Sequence, residues 1–401
     1  MAETFPVPRT CPFAPPPAYE RMREQAPLVR ATLPRGEAWL VTRHAEARQV
    51  LSGAGGISTN PFTPGHPSGA LSTEPSTPER DAAMEKFAIG HFIDLDPPEH
   101  GRFRRLLIPE FTVRRMRELR PGIQHIADEL IDDMIAKGPE AELVEAFGLA
   151  LPSLVICRLL GVPYADREFF QSRTRRMISA AVDQEARHVA VMEIRGFLDA
   201  LVTGAKADPE DNLLGRLVGT GRLSHDEIVG VMFLLLVAGH ETTANMIPLA
   251  ALTLMRHPAQ LAALRADPDL WPMAVDELLR YLSIVDWVAF DRVATEDQDI
   301  GGQLVRKGEG IFVLGASANR DERAFERPDE FDIGRSARHH VAFGYGVHQC
   351  LGQNLARAEL EIALRTLFER LPGLRVAVAD EDVPLKHESP ILGLKALPVA
   401  W

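Results

Sequence analysis

The sequence predicts a mainly α-helical protein with a minor β portion. Three observations carry this. From Pro98 onward, long stretches space their apolar residues three and four apart, which gathers them on one face of a helix. Ser224-His225-Asp226-Glu227 is a capping box, with Ser224 as N-cap and Glu227 three positions on, and it opens an apolar run that continues to about Arg256. Segments with strand-like alternation are few and short.

The elements follow in order. The first forty residues carry many prolines and then the alternating segment Ala38-Trp39-Leu40-Val41-Thr42, a strand. Residues 53–80 are rich in Gly, Ser, Thr and Pro and read as a long loop, a kind that is usually functional inside a compact domain. Helical spacing then covers His100 to Arg120, Ile123 to Ile135, Glu140 to Leu160 and Glu185 to Ala205, punctuated by Pro121, Pro152 and Pro163. The helix from Ser224 spans roughly 30 residues, or about 45–50 Å. It is apolar nearly all round between Val229 and Ala238, so it should cross the core. Another helix covers Trp271 to Leu282. Strands are expected at Trp287 to Ala294, Leu304-Val305 and Ile311 to Leu314. Asn319 to Arg338 is polar and irregular. A last long helix begins just after Cys350 and runs to about Arg370, and the tail from Leu374 reads as short strands and turns. No linker or internal repeat divides residues 1–401, which predicts a single domain.

A chain of 401 residues can bury a core large enough to enclose a cofactor. Its 44 basic and 56 acidic residues leave a net charge of -12, which argues against a nucleic-acid binder. The N-terminus has no basic segment followed by an apolar one, so no signal peptide is expected. The longest apolar stretch, Val229 to Ala238, is too short to span a bilayer. A cytoplasmic protein with no membrane partner is the expectation. The three cysteines are too sparse for a disulfide framework. Cys157 reads as a small buried hydrophobe, and Cys11, in a proline-rich start, has no assigned role.

Cys350 stands apart, in Phe343-Gly344-Tyr345-Gly346-Val347-His348-Gln349-Cys350-Leu351-Gly352. A metal-ligating thiolate needs help to exist at neutral pH. A helix following the cysteine supplies N–H groups and a favourable dipole, and the metal stabilises the deprotonated sulfur. Gly344 and Gly346 allow a tight turn and a close approach. The plainer alternative is a glycine-rich turn holding a buried cysteine.

This loop resembles the haem-binding signature of the cytochromes P450, and three further segments match in order. The resemblance covers about Phe5 to Trp401 and is strongest to the soluble actinobacterial type. It implies the P450 fold, with haem b between the long central helix and the cysteine-loop helix. It implies Cys350 as the axial ligand to the iron, with Gly352 keeping the helix start clear of the porphyrin and Phe343 packing on its sulfur side.

The second segment is Ala238-Gly239-His240-Glu241-Thr242-Thr243, inside the long helix. Glycine inside a helix costs about 1 kcal/mol against alanine, so it needs a reason. A Thr242 hydroxyl bonded to the Ala238 carbonyl bends the helix and opens a groove where dioxygen can sit. Alone, these are equally well polar residues at a helix kink. The resemblance makes Glu241 and Thr242 the acid–alcohol pair that relays protons, with Glu where many relatives have Asp. The third segment, Glu277-Leu278-Leu279-Arg280, puts a carboxylate and a guanidinium on one helix face. In the family this pair is buried, is joined by an arginine matching Arg335, and holds the cysteine loop.

The fourth segment runs from Asp96 to Arg105, with Pro97 and Pro98 marking a helix start. His100 and Arg104 share a face. By resemblance they partner the haem propionates, with Arg292 and His348. Arg102, Arg104, Arg105, Arg114, Arg115, Arg117 and Arg120 form a basic cluster, which reads equally as ordinary helix surface or as the landing site of an acidic electron donor.

The function implied is a monooxygenase that inserts one oxygen atom of O2 into a C–H bond of a hydrophobic organic molecule such as a polyketide, macrolide, terpenoid or steroid. The sequence has no nucleotide-binding fingerprint, so electrons are expected from a ferredoxin and its reductase. Candidate substrate contacts are the 53–95 loop, Val285 to Phe290, Leu235, Ala238, Ile391 and Leu392. Asp286 and Trp287 either shape the pocket or are, respectively, solvent-facing and core. The alternatives are a haem-thiolate enzyme using peroxide or nitric oxide, and a non-catalytic haem-thiolate sensor. Glu241 and Thr242 weigh against peroxide use and against a sensor, and NADH oxidation without a ferredoxin would reveal a nitric oxide reductase.

Overall fold

The computed structural model describes residues 3–53, 55–71, 85–178, 182–379, 382–387 and 389–401. Its contacts group into two compact units. The first takes in Met1–Met84, Ile93–Gly101 and Asp269–Gln353. The second takes in Glu85–Phe92, Arg102–Pro268 and Asn354–Trp401.

The first unit is built on a six-stranded mixed sheet. Its spatial order is Glu3–Thr4, Leu28–Leu33, Gly36–Val41, Gly310–Val313, Asp291–Ala294 and Ile57–Ser58. Trp39 and Arg292 both lie opposite Ile311, which fixes the central register. The predicted strand at 38–42 is present, and both of its faces are covered. Trp39 and Val41 join one apolar cluster with Val50, Leu51 and Val313. Ala38 and Leu40 join another with Tyr19, Met22 and Phe312. An unbroken apolar run is what a strand buried on both faces requires. The expected strand at Trp287 to Ala294 is shorter, Asp291–Ala294. Residues before it turn instead, with the Phe290 N–H donating to the Trp287 carbonyl. Two further helices belong here, Pro17–Gln25 and His44–Leu51.

The second unit is helical and centres on His225–Arg256. Ser224 caps it reciprocally: its hydroxyl accepts from the Glu227 N–H at 3.2 Å, and its own N–H donates to the Glu227 carboxylate at 2.7 Å. By length and composition this helix could cross a membrane, but 67% of its most apolar window is buried inside the protein. It packs on Ala150–Leu160, on the π-helical turn Val144–Leu149 and on Gln184–Ala207. Gly148 permits one of these approaches, since a Cβ there would lie 2.6 Å from Cγ of Pro248.

Several boundaries differ from those the sequence suggests. The helix expected from His100 to Arg120 is two, Glu99–Leu107 and Val113–Lys137, and the second runs straight through Pro121. An interior proline costs about 3 kcal/mol. The helix buries Met116, Ile123, Ile126, Ala127, Ile131 and Met134, and its larger side chains contribute about 1.5–3 kcal/mol each, so burial wins. The real start is at Thr112, whose hydroxyl accepts from the Arg115 N–H. Glu140–Glu142 is a strand, not the start of a helix, because it pairs with Pro398–Ala400. That strand and Arg375–Val376 complete a small antiparallel sheet.

Candidate active site

The cysteine loop lies in the first unit. Gly344 and Gly346 take φ of +67° and +73°, the left-handed region that favours glycine. A Cβ on Gly346 would also meet the Ser52 carbonyl oxygen at 2.4 Å, so the loop lies directly on the end of His44–Leu51. Arg48 stacks on Tyr345 at 4.3 Å. The Cys350 N–H donates to the Phe343 carbonyl at 2.8 Å, closing the loop. The Cys350 side chain is free of disulfides and exposed, and the last long helix, Gln353–Arg370, starts three residues later. Near Gly352 a Cβ would meet only the Cys350 sulfur, at 4.0 Å.

A buried ion cluster holds this loop. Glu277 and Arg280 face each other through two contacts of 2.7 and 2.8 Å. Arg335 donates to the same carboxylate at 3.2 Å. Arg280 also donates to the Asn319 carbonyl at 2.8 Å, and the Asn319 side chain accepts from the Val341 N–H at 2.8 Å. Asn319 therefore joins the ion cluster to the strand of chain that enters the cysteine loop. Sequence reasoning missed it, reading Asn319 to Arg338 as irregular.

His100 and His348 come together, with ring centroids 4.1 Å apart. Arg292 lies on Asp291–Ala294 and is buried, donating to the carbonyls of Ala289 and Asp291. Burial lowers its pKa, while Asp291, Asp96 and Asp94 pull the other way. Arg104 lies one turn after His100 on Glu99–Leu107. A porphyrin fits this donor set. An exposed thiol precedes a helix, and a buried guanidinium bonded to carbonyls suits a carboxylate ligand. Among the described residues no three His, Cys, Asp or Glu side chains are arranged to hold a metal ion.

The second unit carries the other predicted residues. Thr242 donates to the Ala238 carbonyl at 3.0 Å, the expected i to i−4 bond. Along the same stripe Ala238 is exposed, and Leu234 and Thr242 are partly so, in a helix otherwise mostly buried. A small side chain between two accessible neighbours makes a shallow groove. Gly239 has a packing reason: a Cβ would lie 2.7 Å from Cδ1 of Ile156. Glu241 is buried, and its carboxylate accepts from Asn245 at 3.2 Å. His240 Nε2 lies 3.7 Å and Lys386 Nζ 3.9 Å from that carboxylate. Burial lowers the His240 pKa foremost. Asn245 and Lys386 were not foreseen; only the i+4 spacing of Asn245 from Glu241 gave a signal.

Other expectations change. Asp286 does not point to solvent: it is buried, accepting from the Tyr19 hydroxyl at 2.6 Å and the Ala316 N–H at 2.9 Å. That bonding, rather than a free carboxylate in a pocket, explains how it tolerates burial. Trp287 packs on Phe5 and Phe312, in keeping with a core role. In the basic cluster, Arg102 pairs with Glu227, Arg115 with Glu118, and Arg120 with Glu361. Arg105, Arg114 and Arg117 are exposed. Of the 53–95 loop, residues 54 and 72–84 lie outside the described residues. Ile391 and Leu392 are half-buried.

Comparisons with known proteins show the family. Residues 170–400 match the cytochrome P450 family model. The chain is 48% identical to cytochrome P450 105A3 of Streptomyces carbophilus, covering 100% of this chain and 96% of the relative. It is 49% identical to pentalenic acid synthase of Streptomyces avermitilis, covering 99% and 97%. Among solved structures, mycinamicin VIII C21 methyl hydroxylase of Micromonospora griseorubida, bound to mycinamicin VIII, superposes with a TM-score of 0.92 at 41% identity, covering 100% of both chains. The chain thus belongs to the cytochrome P450 family, the haem b monooxygenases.

Proposed function

We propose that this monooxygenase hydroxylates a hydrophobic secondary metabolite of the polyketide, macrolide, terpenoid or steroid kind. The observation that carries the proposal is the accessible stripe Leu234–Ala238–Thr242, apolar up to a single hydroxyl, on an otherwise buried helix. The relatives named for pentalenic acid and mycinamicin VIII support the substrate class.

When bound, haem b supplies the activation of dioxygen and the transfer of one oxygen atom to carbon. The residues of the chain do the rest. Cys350 would hold the iron as thiolate, and the helix after it favours that charge. His100, Arg104, Arg292 and His348 would hold the propionates. Phe343 and Gly352 would contact the haem beside the cysteine, and Ala238 and Gly239 are proposed as further contacts to it. Thr242 would position dioxygen, and Glu241 would bring protons to it.

The electron donor in this proposal is a ferredoxin, served by its reductase. The exposed Arg105, Arg114 and Arg117 support an acidic partner. The enzyme is proposed to act in the cytoplasm as a single domain over residues 1–401. Each compact unit is assembled from three separate stretches of chain, which supports that reading. The Glu241–Thr242 pair favours dioxygen over peroxide as oxidant, and a sensor would have no use for it.

The test is a titration of the oxidised enzyme with a panel of macrolides, terpenoid acids and steroids, read as the spin-state shift of the Soret band. Compounds that shift the band should yield products carrying one atom from labelled O2 in the presence of a ferredoxin and its reductase. Binding without label incorporation would overturn the proposal.

A further inference from the structure

Glu241 is tied to the tail of the chain. Asn245, one turn on, donates to the Glu241 carbonyl at 2.8 Å and to its carboxylate at 3.2 Å. The Asn245 side-chain carbonyl accepts from Lys386 Nζ at 2.8 Å. The same ammonium is 3.9 Å from the Glu241 carboxylate. Lys386 sits on a turn closed by pairing of Leu385 with Leu394 and by a Lys386 N–H bond to the Gly393 carbonyl. That turn is shaped to the cluster, because a Cβ on Gly393 would lie 2.0 Å from the Asn245 oxygen.

The charges sort themselves. His240 also approaches the carboxylate, but burial foremost lowers its pKa, and Lys386 and Arg175 lower it further. Glu241 pulls that pKa the other way, and Lys386, whose ammonium also holds Asn245, is the counter-charge of Glu241. A buried carboxylate needs such a partner. Glu241 is 8% exposed at its side chain and Lys386 is 23% exposed, so the lysine also reaches solvent.

We propose that Lys386 is the positioning residue of Glu241, fixing the carboxylate through Asn245 and marking the side from which it is reprotonated. This rests on the reading of Glu241 as the proton relay. Each proton that Glu241 releases toward Thr242 is replaced by one from solvent on the Lys386 side. No electron moves in this exchange.

The test compares the holoenzyme with Lys386→Met, Lys386→Arg and Glu241→Gln. One readout is the fraction of reducing equivalents ending as hydrogen peroxide, across pH. The other is independent of turnover: the NMR titration of the His240 ring in the diamagnetic reduced carbon-monoxide form. Lys386→Met should raise the peroxide fraction about ten-fold and make it pH-dependent. It should also move the His240 midpoint up, since a nearby cation is gone. Lys386→Arg should restore both. If Glu241→Gln uncouples while Lys386→Met keeps the wild-type profile, Lys386 is not a positioning residue and the relay stands. If Glu241→Gln itself leaves coupling unchanged, the relay falls and this inference with it. Equal loss in Lys386→Met and Lys386→Arg at every pH would mean a packing role only and would also overturn it.

Discussion

Glu277 and Arg280 stand three residues apart on one helix and meet through two contacts of 2.7 and 2.8 Å, with both side chains 0% exposed. Removing one partner of a buried pair strands the other, at about 3–5 kcal/mol. Glu277→Gln should therefore lower the unfolding free energy by that order. Because Arg280 also holds Asn319, and Asn319 holds Val341, the variant should retain less haem per chain. Denaturant unfolding and the haem-to-protein absorbance ratio check this.

Asn319→Ala offers a milder version of the same experiment. It breaks the Val341 contact and leaves the ion cluster intact. The expected loss is about 1–3 kcal/mol, the cost of stranding buried hydrogen-bonding groups. Haem retention should fall more than stability does. A variant that keeps its haem would show that Asn319 does not brace the loop.

Much of this frame was legible beforehand. The capping box at Ser224 and the helix Trp271–Leu282 were both readable because their signals are local. The i to i−4 bond of Thr242 was readable for the same reason. Pro17–Gln25 was not, since Pro16 caps it without a side-chain bond and it buries Arg23 on its inner face. Arg23 is satisfied by Ser317, almost three hundred residues away, which no local pattern reveals. The same holds for Glu140–Glu142, whose partner strand is Pro398–Ala400, and for Lys386 beside Glu241. Contacts between distant stretches of chain were the part the sequence did not disclose.

The Thr242 hydroxyl donates to the Ala238 carbonyl at 3.0 Å, beside the exposed Ala238 side chain. Thr242→Ala should retain substrate-induced spectral shifts and lose coupling, with more reducing equivalents ending as hydrogen peroxide. The expected loss is on the order of a hundred-fold in product per electron at most. Unchanged coupling would remove Thr242 from the relay.

Glu359 is fully buried on the last long helix, and its Oε2 has no hydrogen-bond partner among the described residues. Burial pushes its carboxyl well above the usual range. The folded state therefore holds this proton where the unfolded chain has lost it. Its stabilising effect is complete below the unfolded pKa and is lost as pH rises toward the folded one. The slope is about 1.4 kcal/mol per pH unit. Glu359→Gln should remove this decline, so that its stability relative to wild type improves as pH rises above the ordinary carboxyl range. Melting temperatures of both proteins across pH measure it; parallel curves would contradict the assignment.

Arg292 is buried, and among the described residues its hydrogen-bond partners are the carbonyl oxygens of Ala289 and Asp291. In the apoprotein such a cation is a cost; beside a carboxylate it becomes a binding group. Arg292→Met should speed haem transfer to excess apomyoglobin without lowering the melting temperature of the apoprotein. Unaltered haem transfer would exclude Arg292 from the propionate site.

The central claim is that Cys350 presents its thiolate to the haem iron, and the absorption spectrum of the dithionite-reduced protein under carbon monoxide tests it most directly. The account predicts a strongly red-shifted Soret band in the wild type and its loss in Cys350→Ser. A wild-type band at the position of a histidine- or thiol-ligated haem, or a red-shifted band that survives in Cys350→Ser, would contradict it.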